Sequence, residues 1–251
     1  MSGHSKWATI KRRKGAADAK RSDQFAKLLR AVEVAAREGG SGDLKANMTL
    51  ASAVEKARSF SVPTDNIERA IKRGTGELEG GARYEEVVYE GYAPGGVAVF
   101  VETLTGNRNR TAQDVRHAFV RKGGNLGESG STAWMFSRKG LIQIEKSAAP
   151  DEERLLELAL EAGAEDLSDA ESTWEITTDP GMLRAVGDAV ASAGITMLSA
   201  ELTMVPQSTV PVEGAQARQV LALLEALEDL DDVQNVHANF DIPEAVMSDL
   251  G

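Results

Sequence analysis

Residues 140–205 read GLIQIEKSAAPDEERLLELALEAGAEDLSDAESTWEITTDPGMLRAVGDAVASAGITMLSAELTMV, where the order of elements is most legible. Leu141–Glu145 reads as a strand. Asp151–Ala162 has apolar residues at helical spacing, with Leu155, Leu158, Ala159 and Ala162 inside. Ala164–Leu167 and Thr173–Thr178 are two short strands. Pro180 opens a helix with Leu183, Val186 and Val190 inside, ending at Gly194. Ile195–Val205 is a last strand. The order is β-α-β-β-α-β, the ferredoxin-like arrangement.

The segments on either side must be accommodated around that unit. Residues 20–38 carry Phe25, Leu28, Leu29, Val32, Ala35 and Ala36 on one helical face, which puts Lys20, Lys27, Arg30 and Arg37 on the opposite face. Gly39-Gly40 ends that helix. A second helix is expected after Gly42, with Leu50, Ala51, Val54 and Ala57 as its stripe. A third is expected from Thr64 as N-cap, with Ile67, Ala70 and Ile71 inward. Together they make a three-helix bundle. Tyr84–Glu90 and Gly96–Thr105 are β-rich runs joined by Ala93-Pro94-Gly95-Gly96. A helix follows near Asn109–Thr111, where Thr111 and Asp114 suggest a capping box and Val115, Ala118 and Phe119 face inward. The helix Glu213–Leu230 and the strand Val233–Ile242 have no sheet of their own and most simply rejoin the β-β-α unit of 82–122. The expected class is α+β and multi-domain. The expected domains are a bundle with a basic arm (1–78), a discontinuous α/β domain (79–137 and 206–251), and a ferredoxin-like domain inserted in it (138–205).

Charge is divided along the chain. Residues 1–76 hold 16 Lys+Arg and 8 Asp+Glu, a net of +8, whereas residues 140–251 hold 4 and 23, a net of −19. The overall −11 therefore hides a basic head on an acidic body, suited to meeting a polyanion head-first. There is no Cys, which excludes disulfides, thiolate metal sites and a cysteine nucleophile. The longest apolar stretch, Val97–Val101, falls far short of the ~20 residues of a membrane span. The basic start lacks the apolar run of a secretory signal, and a cytoplasmic location is expected.

No catalytic constellation is visible. His4, His117 and His237 are far apart and lack neighbouring carboxylates at metal-ligand spacing. Asp151-Glu152-Glu153, Glu228-Asp229 and Asp231-Asp232 read as solvated charges at helix ends. The glycines of Gly74–Gly80 follow a helix and precede acids, so they are no dinucleotide fingerprint. The Gly123–Ser131 loop lacks the lysine of a P-loop and reads as a flexible connector or a mobile backbone contact. Neither an enzyme, a cofactor, a metal nor a small-molecule substrate is expected.

The basic head is the better candidate. Lys11-Arg12-Arg13-Lys14 is extended by Lys6, Lys20, Arg21, Lys27 and Arg30. Cations at this density neutralise phosphates and release counterions. Trp7 could stack on a base or pack on the bundle. A second group, Arg108, Arg110, Arg116, Arg121 and Lys122, surrounds the middle helix, and arginine suits bidentate phosphate contacts.

Several long strings carry a resemblance: MSGHSKWATIKRRKGAADAKR at the start, NIERAIKRGTG at 66–76, YEGYAPGGVAVFVETLTGNRNRTAQDVRHAF in the middle, then GGNLGESGSTAWMFSRKG, AGAEDL and ALEDLDDVQNV. Over about residues 2–242 the chain resembles the YebC family, long labelled probable transcriptional regulators, which includes the mitochondrial translational activator of cytochrome oxidase. The resemblance implies a bundle, an α/β domain and an inserted ferredoxin-like domain. It also implies a non-enzyme acting on DNA, or with the ribosome on proline-rich stretches. Ala93 stands where the family leads one to expect Gly, and Ser61-Val62-Pro63-Thr64 is a variable-looking turn.

Three readings follow. The first is a ribosome-associated translation factor contacting rRNA or tRNA. The second is a DNA-binding transcriptional regulator. The third is an acidic scaffold or an enzyme whose acidic surface binds a metal or cationic ligand. No helix-turn-helix is evident, and the bundle helices carry Lys/Arg rather than base-reading Asn/Gln. That favours a structured RNA read by shape and phosphate.

Overall fold

The computed structural model describes residues 18–81, 83–149, 151–242 and 246. These form two compact units, one built from 18–132 and 214–236, the other from 133–213 and the segment after 236. The fold is mixed α/β, with seven α-helices among the described residues.

In the first unit the bundle comprises α1 (Asp18–Glu38), α2 (Met48–Ser59) and α3 (Thr64–Gly74). Its core joins Leu28, Val32, Ala35 and Ala36 to Leu50, Val54, Ala57, Ile67 and Ala70. α2 starts later than expected, because Asn47 and not the Gly42 region caps it. The Asn47 Oδ1 accepts from the Leu50 N–H at 3.0 Å, and its Nδ2 donates to the Ala35 carbonyl at 2.8 Å. One side chain thus caps α2 and ties it to the end of α1. The expected cap of α3 is also corrected. Pro63 takes the N-cap position without a side-chain bond, and Thr64 is already helical. α3 crosses α1 closely at Gly74, where a Cβ would come within 2.4 Å of the Glu33 carbonyl oxygen.

The same unit holds a four-stranded sheet. β1 (Glu85–Ala93) and β2 (Val97–Thr105) form an antiparallel hairpin, in register from Glu85 opposite Thr105 to Ala93 opposite Val97. Ala93 is extended, a conformation that needs no glycine. α4 is Arg108–Arg121, β3 is Asn125–Leu126, α7 is Gly214–Glu228 and β9 is Val233–Ala238. The strand order is β3-β1-β2-β9, so the C-terminal strand does lie beside the hairpin. Helices α4 and α7 pack on each other and on β1, burying Val115, Phe119, Leu223 and Leu224.

The second unit comprises β4 (Phe136–Glu145), α5 (Glu152–Glu161), β5 (Ala164–Ala170), β6 (Thr173–Thr178), α6 (Leu183–Ser192) and β7 (Met197–Pro206). Its sheet runs β5-β6-β4-β7, every neighbouring pair antiparallel. Ile142, Ile144, Trp174 and Ile176 of the sheet meet Leu155, Ala159, Val186 and Val190 of the helices. β4 begins at Phe136, before the expected Leu141. The expected single strand 233–242 is broken at Asn239. Its carbonyl accepts from the Val210 N–H at 2.7 Å, and β10 (Phe240–Asp241) turns to pair with β8 (Val210–Pro211) in parallel.

A buried carboxylate fastens α1 to the sheet side of the first unit. Asp232, in the turn just before β9, keeps only 7 % of its side chain exposed. It was expected to be a solvated helix-end acid and is the opposite. Its Oδ1 accepts from Arg30 of α1 at 3.0 Å. Its Oδ2 accepts from Arg110 at 2.7 Å, Thr111 Oγ1 at 2.7 Å and Thr105 Oγ1 at 3.2 Å. Burial pushes the Asp232 carboxyl up, but the hydrogen bonds of Arg110 and Thr111 and the charges of Arg110 and Arg30 outweigh it. The carboxyl is held below the ordinary carboxylate range.

Two predictions test these features. Ser61 has φ +60° and occupies the left-handed position just past α2, with its N–H on the Arg58 carbonyl and the Val62 N–H on the Ala57 carbonyl. A left-handed L-residue costs about 1–2 kcal/mol, partly offset by the entropy of the alternative glycine. Ser61→Gly should therefore raise stability by about 0.5–1 kcal/mol in urea unfolding; an unchanged or lower midpoint would refute the strain. For Asp232, the lowered folded pKa means its contribution is complete above about pH 4, the unfolded value, and is lost as pH falls through the folded value. Asp232→Asn should cost about 2–4 kcal/mol at pH 7, since two arginines lose their anion. The gap to wild type should shrink on acidification; a constant gap would show that the charge is not what matters.

Candidate nucleic-acid interface

Lys6, Trp7, Lys11, Arg12, Arg13 and Lys14 lie outside the described residues, and of Lys20 and Arg21 only the helical backbone is described. The cations further along α1 depart from expectation. Lys27 donates to the Glu228 carbonyl. Arg30 donates to the Leu104 carbonyl at 3.1 Å and the Asp231 carbonyl at 2.9 Å besides Asp232, and lies 5.0 Å from the Tyr84 ring centroid. Arg37 pairs with Glu33 at 3.0 Å, and Arg73 of α3 reaches the other oxygen of that buried acid at 3.0 Å. The helix face opposite the bundle core is thus not a free cationic surface. The reason is that α1 is covered there too: Val34, on that face, is 5 % exposed.

Around α4 the arginines separate by role. Asn107, not Thr111, caps the helix: its Oδ1 accepts from the Arg110 N–H at 3.2 Å. Thr111 instead points inward to Asp232 and to Thr105 Oγ1, which it meets at 2.7 Å. Arg108 is exposed and its carbonyl accepts from the Tyr89 hydroxyl at 3.2 Å. Arg110 spends one guanidinium nitrogen on Asp232 yet stays more than half exposed. Arg116 is exposed on the outer face, beside the exposed Val120 one turn on. Arg121 and Lys122 close α4 and line a groove of about 330 Å³ with Asp114, His117, Ala226 and Leu230. Cations there also suit the helix C-terminus, whose dipole end is negative.

The glycine-rich segment 123–131 is held, not loose. Glu90, buried on β1, accepts from the Gly130 N–H at 2.7 Å, the Thr132 N–H at 2.6 Å and the Thr132 hydroxyl at 3.2 Å. The Tyr92 hydroxyl donates to the Ser131 carbonyl at 2.8 Å, and the Gly127 N–H to the Glu90 carbonyl at 2.8 Å. The expectation of a flexible connector is corrected. A carboxylate inside a β-strand supplies the acceptors that a loop of small residues cannot supply itself. Glu90, Glu33 and Asp232 were all missed by sequence reasoning. Glu33 and Glu90 stand among apolar neighbours, which was a signal; Asp232 sits in the acidic run 228–232 and offered none.

The histidines are dispersed. His237 is buried, with Nδ1 3.4 Å from Thr203 Oγ1, His117 is exposed, and His4 lies outside the described residues. No group of three or more metal-ligating side chains comes together among the described residues. No helix among them is long and apolar enough to cross a membrane.

Residues 5–77 match the TACO1/YebC protein N-terminal domain, and residues 84–240 match the TACO1/YebC second and third domain. A protein of Rubrobacter xylanophilus named a probable transcriptional regulatory protein is 56 % identical over 250 residues, covering 100 % of this chain and 99 % of the relative. One of the same name from Thermotoga maritima is 53 % identical, covering 100 % and 98 %. The crystal structure of a conserved hypothetical protein, Aq1575, from Aquifex aeolicus superposes with a TM-score of 0.79 at 48 % identity, covering 90 % of this chain and 92 % of that one. Both domain matches, and relatives more than half identical over nearly their whole length, place this chain in the TACO1/YebC family.

Proposed function

We propose that this protein is a non-enzymatic, nucleic-acid-binding regulator of gene expression, and that it works in the cytoplasm as a ribosome-associated translation factor. The observation that carries the proposal is the charge division, +8 over residues 1–76 against −19 over 140–251. A polyanion attracts the first and repels the second. The cations from Lys27 to Arg37 have protein partners, so the anchoring role falls on Lys6, Lys11, Arg12, Arg13, Lys14, Lys20 and Arg21. Trp7 is the stacking residue of that arm. Arg108 and Arg116 supply a second contact on α4. Arg110 and Arg30 act chiefly by fixing α4 and α1 through Asp232. Phosphate contacts without base-reading side chains suit rRNA or tRNA, read by shape. Assistance to synthesis of proline-rich stretches is the form of this activity that the family resemblance suggests.

The relatives' names favour a second reading, DNA-binding transcriptional regulation. The two readings differ in what the full chain binds. If Lys11-Arg12-Arg13-Lys14 makes roughly four phosphate contacts, log K for RNA should fall with log salt with a slope of about −3. Replacing the four by Ala should flatten most of that slope; an unchanged slope would refute the anchor. The full chain should co-sediment with ribosomes in sucrose gradients, and its deletion should raise ribosome occupancy at proline-rich codons. Binding to duplex DNA in place of ribosomes, with occupancy unaltered, would decide for the second reading.

A further inference from the structure

Among the described residues, the acidic unit exposes an apolar ridge that none of its own elements covers. On α5, Leu156 and Leu160 are 37 % and 49 % exposed, while Leu155 and Ala159 of the same helix fill the core. Successive residues turn about 100°, so Leu156 and Leu160 lie about 40° apart on one stripe. Met182 extends the ridge past the end of α5. It is 38 % exposed, and its Cε lies against Gly163, where a Cβ would meet it at 2.5 Å. Glu152, Glu153 and Glu157 flank the stripe, all exposed. Arg154 of the same helix is exposed but lies about 200° around the axis from Leu156, away from the stripe, and Arg184 is paired with Asp188 at 3.8 Å.

We propose that this ridge docks a basic amphipathic protein segment, one that sets apolar side chains on Leu156, Leu160 and Met182 and lysines or arginines against the flanking glutamates. Charge complementarity selects this occupant. The carboxylates repel nucleic acid and anionic lipid, and a second copy meeting this ridge through its own ridge would bring an equally acidic surface. A basic segment gains attraction at the rim while it removes the leucines from water. The inference does not depend on which nucleic acid the basic head binds.

The test uses the full-length, isotope-labelled chain and two synthetic amphipathic helices of about 18 residues, one of Leu and Lys, the other of Leu and Glu. The Leu/Lys peptide should shift amide signals of residues 152–161 and of Met182, and the Leu/Glu peptide should not. Leu156→Ser with Leu160→Ser should weaken binding about tenfold with little change in melting temperature, because both side chains are substantially exposed. Glu153→Lys with Glu157→Lys should remove the salt dependence and weaken binding as well. Three outcomes would overturn the proposal: equal binding of the Leu/Lys peptide to the serine variant, shifts confined to other elements, or sedimentation showing that the two leucines hold a dimer.

Discussion

One carboxylate, Asp232, holds together the elements that carry the candidate interface. It takes a guanidinium from α1, another from α4, and hydroxyls from Thr105 and Thr111. A buried charge is tolerated only when its lone pairs are filled, and four donors fill these. The constraint runs both ways. Arg30 is fixed on the covered face of α1 opposite the bundle core and cannot serve as a free surface cation, and Arg110 presents the remainder of its guanidinium from a fixed position on α4. Remove the anion and two cations are left facing each other across the same space.

Glu33 and Glu90 repeat the device elsewhere in the same unit. Glu33 joins α1 to α3 through Arg37 and Arg73, at the crossing where Gly74 permits close approach. Glu90 holds the backbone of Gly130 and Thr132. In each case the acid serves backbone or cationic donors that the apolar core could not satisfy. The positive charge of the first 76 residues is therefore partly internal.

The acidic unit also buries an acid, Glu175, whose Oε1 accepts from Gln143 Nε2 at 3.1 Å, but it rests chiefly on apolar packing. Its core is apolar, formed by Ile142, Ile144, Trp174 and Ile176 against two amphipathic helices. Its carboxylates are largely outside, where they exclude polyanions and leave Leu156 and Leu160 framed by negative charge. Opposite electrostatics in two parts of one chain allow different classes of partner to be engaged without competition for the same surface.

Element type and order were legible in the sequence, because apolar spacing is a local signal. Leu155, Leu158 and Ala159 mark α5 whatever surrounds them, and the β-rich runs on either side of Pro94-Gly95-Gly96 announce the hairpin. Strand 233–238 could be assigned to its sheet only because it had no other. The start of α4 was missed because Asn107 and Thr111 are both competent caps, and the choice fell to Asp232, 121 residues away from Thr111 in the chain. The same holds for the inward cations of α1. Periodicity identifies the face that packs on the bundle, but not a second cover on the face behind it. The mixed α/β class, the order of elements and the charge division follow from local signals, all sums over near neighbours. Which acids are buried, which arginines are bound by them, and whether the glycine-rich loop is held were decided by the tertiary structure alone, since each depends on a donor and an acceptor that meet only when distant segments pack.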